Sequence, residues 1–167
     1  MVLNPTAVIG PFDFQESYLG QALIKIYENK LPMLVPGGYD WVDVRDIVNT
    51  AISAIEKGEI GEKYLLSGHY VSLKDLSRII GKISRKKTPQ LLAPLFLAKI
   101  GLPFIKLYSI LANEHPLYTY ESLEILKNSN KHITSLKAKK ELGFSSRPVE
   151  ETLRDTFEWY KQNGKVS

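Results

Sequence analysis

The 167-residue sequence has no cysteine, which excludes a disulfide framework, a Cys-ligated zinc site and a thiol nucleophile, and permits a reducing compartment such as the cytoplasm. Histidine is scarce. His69, His115 and His132 stand far apart without a second ligand four residues on, so no metal is expected and no metal ligand is assigned. An uninterrupted apolar run is also lacking. The most apolar stretch, residues 91–112, contains Pro94, Lys99, Pro103 and Lys106, which a bilayer-spanning helix of about 20 residues tolerates poorly. It reads as a buried, broken helix, and no membrane span is expected. The opening Met1-Val2-Leu3-Asn4-Pro5 carries neither a basic run nor a small-residue cleavage site, so no signal peptide is expected. Charge of one sign is in short supply, with 22 Lys plus Arg against 18 Asp plus Glu. The resulting +4 favours an anionic ligand without requiring one. Lys82, Arg85, Lys86 and Lys87 form a small basic cluster, but no aromatic residue interleaves with them, and at a helix end they offset the dipole. Nucleic acid is therefore not an expected partner. Finally, the 11 glycines never take the G-x-G-x-x-G spacing that cradles a dinucleotide phosphate.

What is present is enough apolar content, 44%, for one sizeable core. Val2 and Leu3 stopped by Pro5, then Ala7 to Ile9 stopped by Gly10-Pro11, read as a strand and a loop. This opening, residues 1–11, suggests a strand whose sheet neighbours come from sequence outside this chain. Residues 16–30 and 47–57 have helical apolar spacing, with Asp46 as the expected N-cap of the second. Residues 33–35 and 41–44 read as short strands separated by Pro36-Gly37-Gly38, and residues 63–66 as another. Ser72 with Asp75 three residues on opens a helix carrying Leu76, Ile79, Ile80 and Ile83. Further helices are expected at 120–128, at 135–142 before Gly143, and at 149–162 before Gly164. No repeat or linker divides the chain, so residues 1–167 are expected to form a single region of α/β class, with few strands and a mostly helical second half.

The stretch Asn4-Pro5-Thr6-Ala7-Val8-Ile9-Gly10-Pro11-Phe12 resembles the segment of extended short-chain dehydrogenases that closes the nicotinamide pocket, and is closest to dihydroflavonol reductases. Trp41-Val42-Asp43-Val44-Arg45-Asp46, residues 58–67 and residues 137–144 continue the resemblance in the family's order. The resemblance implies the carboxyl-terminal, substrate-binding part of an extended Rossmann-type enzyme of the NAD-dependent epimerase/dehydratase family, its nucleotide-binding half absent. It further implies that Pro5, Thr6, Ala7 and Val8 line the nicotinamide of NADP or NAD, while Gly10, Pro11 and Phe12 turn towards a small-molecule substrate. Tyr39 and Trp41, beside a Pro-Gly-Gly turn, are candidates to stack on a flat substrate ring, with core packing as the alternative. Asp43, Arg45 and Asp46 read either as substrate contacts or as a helix cap with an ion pair. The family's Asp-x-Ser-Lys stands here as Thr134-Ser135-Leu136-Lys137, where Thr134 or Ser135 can still cap the next helix.

The family's Gly-rich loop and its catalytic Tyr-x-x-x-Lys pair lie upstream of these segments. Tyr70 and Lys74 match that spacing, but Ser72 caps a helix between them, so they do not share one helical turn. No catalytic residue is assigned, and the chain alone is expected neither to bind the cofactor nor to turn over. A second reading is a free-standing binding or oligomerisation module that pairs through its exposed strand edge. A nucleic-acid binder is a third, weaker one.

Overall fold

The computed structural model describes residues 1–94, 96, 124–126, 129–130 and 132–167. These residues carry five strands and five helices. In chain order they are β1 (Val2–Pro5), β2 (Ala7–Ile9), α1 (Tyr18–Tyr27), β3 (Gly38–Asp43), α2 (Val44–Lys57), β4 (Lys63–Leu66), β5 (His69–Ser72), α3 (Leu73–Ser84), α4 (Leu136–Leu142) and α5 (Val149–Gln162). Of the expected helix at 120–128, residues 124–126 are described and helical, and the rest of it, like most of the stretch at 91–112, lies outside the described residues. No helix among the described residues is long and apolar enough to cross a membrane.

The chain forms two compact units. The first comprises Met1–Gly20, Tyr39–Val71 and Asn130–Ser167. Its strands pair in parallel, β1 with β4 and β2 with β3, and β5 joins β3 in the second sheet. The register sets Leu3 beside Tyr64 and Val8 beside Val42. Val42, Ala54, Tyr64, Leu66, Ala138, Leu142 and Phe144 make a core that Leu3, Val8 and Ile47 cover. Helix α4 stops at Gly143, whose φ of 71° is left-handed and whose N–H returns to the Ala138 carbonyl. Ser135 occupies the N-cap position of α4 but makes no capping bond, because its hydroxyl donates to the Ser67 carbonyl instead.

The second unit comprises Gln21–Gly38 and Ser72–Ser129. Within it the apolar side of α1 buries Leu23, Ile26 and Tyr27, and α3 buries Leu73, Leu76, Ser77 and Ile80. Ser72 caps α3 as its spacing predicts, accepting from the Asp75 N–H at 3.1 Å and donating to the Asp75 carboxylate at 2.6 Å. Ser72→Ala is expected to lower the urea midpoint by the equivalent of about 1 kcal/mol, and Ser72→Asp by far less.

Several expectations need correction. The residues at 33–35 form no strand, since only Leu34 bridges to Leu92, and β3 starts at Gly38 rather than after the glycines. Asp46 is not the cap of α2: β3 runs straight into the helix, so Asp43 takes that position and accepts from the Arg45 N–H. Asp46 lies buried in the first turn. The apolar residues Val48, Ile52 and Ile55 of α2 are exposed, whereas Thr50 and Ala54 face inward.

Candidate functional site

Pro5 and Leu66 end β1 and β4 side by side, and ligands of open α/β sheets collect beyond such carboxyl ends. Thr6, between β1 and β2, donates its N–H to the Leu66 carbonyl and its hydroxyl to the buried Asp40 carboxylate at 2.7 Å. The same Asp40 oxygen accepts the Gly68 N–H at 2.6 Å. One carboxylate thereby ties the β1–β2 link to the β4–β5 link. Ala7 and Val8 continue along β2, and Gly10 follows with φ of 151°. A Cβ on Gly10 would meet Val44 Cγ1 at 2.6 Å, so the chain leaves the sheet hard against the start of α2.

Pro11 is buried and Phe12 is 60% exposed, with a left-handed φ of 73°. Its ring lies edge-on to Trp159 of α5 at 6.1 Å, and Phe14 does the same at 5.1 Å. Asp13 accepts the Ser17 N–H and hydroxyl and the Tyr160 hydroxyl. Burial, then the charge of Asp13, pushes the Tyr160 phenol well above its ordinary value. Lys165 bonds both Glu16 and the Phe14 carbonyl. The loop after β2 is thus clamped by the end of α5.

Tyr39 and Trp41 meet edge-to-face at 5.3 Å. Trp41 is only 2% exposed and donates its Nε1–H to the Val71 carbonyl, whereas Tyr39 is half-buried and burial raises its phenol pKa. The structure therefore brings Pro5, Thr6, Ala7, Val8, Gly10, Pro11 and Phe12 along one continuous path, with Tyr39 and Trp41 on β3, the strand beside β2. Tyr70 ends up on β5 and Lys74 in the first turn of α3, so they share no helix.

Behind β3 lies a charge network that the sequence only half reveals. The expected Arg45–Asp43 pair is present, with Nε and Nη2 donating at 3.0 and 2.7 Å. Arg45 also reaches Asp155 at 2.6 Å, and Arg147 grips Asp46 through its N–H and Nε. Burial pushes the Asp43 carboxyl up, but the hydrogen bonds from Arg45 outweigh it and hold the pKa below its ordinary value. Next to this network a polar cleft of about 470 Å³ is lined by Asn49, Ser53, Lys57, Ser145 and Arg147. Its Ser53 hydroxyl donates to the Leu142 carbonyl, and Asp46, one of the residues singled out in the sequence, borders it with its carboxylate held by Arg147.

No protein-family model matches the chain. Among curated proteins it is 27% identical to sterol demethylase protein B of Methylococcus capsulatus, over 99% of this chain and 51% of that one. It is 25% identical to a Synechocystis protein carrying the name dihydroflavonol 4-reductase, over 99% of this chain and 49% of that one. Among solved structures, gox2253 superposes with a TM-score of 0.77 at 30% identity, covering 99% of this chain and 50% of its own. Over 99% of its length the chain is thus similar to proteins named sterol demethylase protein B and dihydroflavonol 4-reductase, and in fold to a nucleoside-diphosphate-sugar epimerase of Pseudomonas aeruginosa. It spans about half the length of the curated relatives it matches, consistent with a carboxyl-terminal portion of a Rossmann-type protein. At the level of fold alone, the Bordetella bronchiseptica enzyme WbmF, solved in complex with NAD+, superposes with a TM-score of 0.64 at 23% identity, over 97% of this chain and 46% of its own.

Proposed function

We propose that the chain supplies the substrate-binding side of an NAD(P)-dependent oxidoreductase or epimerase, dihydroflavonol reductase-like, that acts on a ketone, an aldehyde or a nucleotide sugar. The observation that carries this reading is the path from Pro5 to Phe12, which leaves the carboxyl end of a parallel strand pair and turns at Gly10-Pro11 into a clamped loop. The relatives of half-matched length support it.

The residues of this path suit one end of the cofactor. Pro5 is exposed and has no N–H, and the Thr6 hydroxyl and N–H are already engaged. Together with Ala7 and Val8 they offer apolar surface to a flat ring and no donors to a pyrophosphate. The nicotinamide, when bound, supplies or accepts the hydride. This chain orients the ring and the substrate beside it, while Gly10 and Pro11 set where the substrate loop begins. Proton transfer requires groups that a partner half provides, since Tyr70 and Lys74 do not form a relay.

The chain alone is therefore expected to leave NADPH and NADH unconsumed against a panel of ring ketones, aldehydes and nucleotide sugars. Fused behind the half of the Methylococcus relative that this chain does not match, it should consume one of the two cofactors with at least one substrate. A folded fusion that binds neither cofactor would sink the reading. One observation favours a second reading, a binding module that pairs through a strand edge: among the described residues β1 is paired only with β4. Light scattering tests it, because a monomer at all concentrations removes it.

A further inference from the structure

Acidic residues are unevenly spread along the chain. From Leu76 to Asn113 there is no Asp or Glu, while seven Lys and Arg fall in that window. Seven exceeds the +4 of the whole chain, so everything outside the window is net acidic. A separation of charge on this scale gives one region a field that a mixed surface lacks.

The cations at and after the end of α3 divide into engaged and unengaged ones. Arg78 pairs with Asp75 at 2.8 Å, and Lys86 stands over the Tyr27 ring at 4.9 Å. Lys82, Arg85 and Lys87 are exposed and form no ion pair among the described residues. The dipole of α3 accounts for Lys82 in its last turn. Arg85 and Lys87 lie beyond the helix, and Arg85 holds a left-handed φ of 56° at the C-cap, where glycine or asparagine is the usual residue. A helix stop alone does not call for an arginine there.

Exposed apolar surface follows the cations directly. Leu91 is 69% and Phe96 63% exposed, and Leu92 is exposed as well. The link between the two groups is tied down: the Ser77 hydroxyl donates to the Pro89 carbonyl at 2.6 Å, the Thr88 hydroxyl donates to the Ser77 carbonyl at 2.8 Å, and Leu34 bonds through its backbone to Leu91 and Ala93. Ala93 is buried there, whereas both leucines are not. Lys87 and Leu91, four residues apart, stay within about 14 Å of each other.

A nucleic acid would use the cations and leave the leucines in water. A neutral apolar partner would strip water from the cations without replacing it. An anionic bilayer takes both, since its headgroups attract the cations while the apolar side chains enter the boundary with the acyl chains. We propose that Lys82, Arg85 and Lys87, together with Leu91, Leu92 and Phe96, form a docking surface for an anionic lipid bilayer, on which the chain sits peripherally without spanning it.

The full chain should co-sediment with phosphatidylcholine vesicles that contain about one-third phosphatidylglycerol, and stay in the supernatant with phosphatidylcholine alone. Raising the salt from about 0.1 M to about 1 M shortens the screening length from about 10 Å to about 3 Å and should release it. Arg85→Asn combined with Lys87→Gln should weaken the partition coefficient about 25-fold, at about fivefold per cation. Asparagine suits a left-handed C-cap, so this variant keeps the fold. Leu91→Ser, at an exposed position, should weaken partitioning about tenfold. Arg154→Gln, exposed on α5 outside the patch, should leave it unchanged. The proposal is overturned by equal binding to the two vesicle types, by an unchanged partition coefficient in the double variant or in Leu91→Ser, or by a loss in Arg154→Gln as large as in the double variant. Duplex DNA that displaces the chain from the anionic vesicles at equal phosphate concentration would overturn it too, by assigning the cations to nucleic acid. None of these outcomes bears on NAD(P)H consumption by the fused enzyme.

Discussion

Asp43→Ala is expected to lower the unfolding free energy of the chain by about 3 kcal/mol, read from the urea midpoint. Two losses add up in that figure. The Asp43 carboxylate accepts the Arg45 N–H as the cap of α2, a bond whose removal costs about 1 kcal/mol. Its buried oxygens also accept two charge-assisted bonds from the Arg45 guanidinium and lie 3.7 Å from Arg147. Removing a buried partner leaves the arginines facing each other without their central counter-charge. The cost stays near the lower end of such changes because Arg45 is 26% exposed and keeps Asp155. Asp43→Asn retains a capping oxygen and loses the charge, so it should recover about 1 kcal/mol of the loss. A drop below about 1 kcal/mol in Asp43→Ala would mean that the network contributes little to the fold.

The same carboxylate gives the acid limb of stability a defined sign. The pKa of Asp43 is lowered in the folded chain relative to its ordinary 3.8. Its contribution is therefore fully present above that ordinary value, and is lost as pH falls through the lowered folded one. Below both values nothing remains of it. Between neutrality and strongly acid pH the native chain should lose more stability than Asp43→Asn, so the two curves converge at low pH. Parallel curves over that range would show that Asp43 titrates alike in both states.

How much of this was legible in the sequence depends on whether the determining contacts are local. Helix α5 falls at 149–162, as the apolar spacing and Gly164 indicate, and Ser72 caps α3 because the partner, Asp75, is three residues away. Strand β5 has no such local signal. His69-Tyr70-Val71-Ser72 shows no alternation of apolar residues, and it is a strand because it finds β3. The choice between Asp43 and Asp46 as cap was equally non-local: both are Asp ahead of apolar residues, and the length of β3 decides between them. At the candidate site, Phe12 could be singled out from its motif, whereas Trp159 could not. Tyr160 reaches Asp13 across 147 positions, and Arg147 reaches Asp46 across 101. Single-sequence spacing carries no information about such pairs. Asp40 escapes sequence reasoning for the same reason, although a charged residue between Tyr39 and Trp41 is a polar group in need of partners once buried. Those partners are Thr6 and Gly68.

Gly68→Ala should be more damaging than any substitution on the surface of the site, at about 4 kcal/mol or more, enough to deplete the folded chain. A Cβ there would lie 1.7 Å from the Trp41 carbonyl oxygen and 2.6 Å from its carbon, with Val42 Cα at 2.9 Å. All three are backbone atoms of a strand paired on its other side to β2, so no rotamer change makes room, and β3 or the β4–β5 link has to move. Movement pulls the Gly68 N–H from Asp40, and Asp40 is also what holds the Thr6 hydroxyl. The change therefore travels from a glycine that touches no proposed ligand to the residues proposed to face the nicotinamide. Gly61→Ala is the control. Its φ of 86° makes alanine unfavourable by about 1–2 kcal/mol, but nothing lies within 4 Å of the new Cβ. The two variants thus separate backbone strain from steric collision. Near-UV circular dichroism follows the same event through Trp41, whose indole bond to Val71 spans the two strands flanking Gly68. Gly68→Ala should lose that signal and Gly61→Ala keep it, whereas equal stability of the two variants would show that β3 yields to the methyl group and that the site tolerates a shift of its supporting strand.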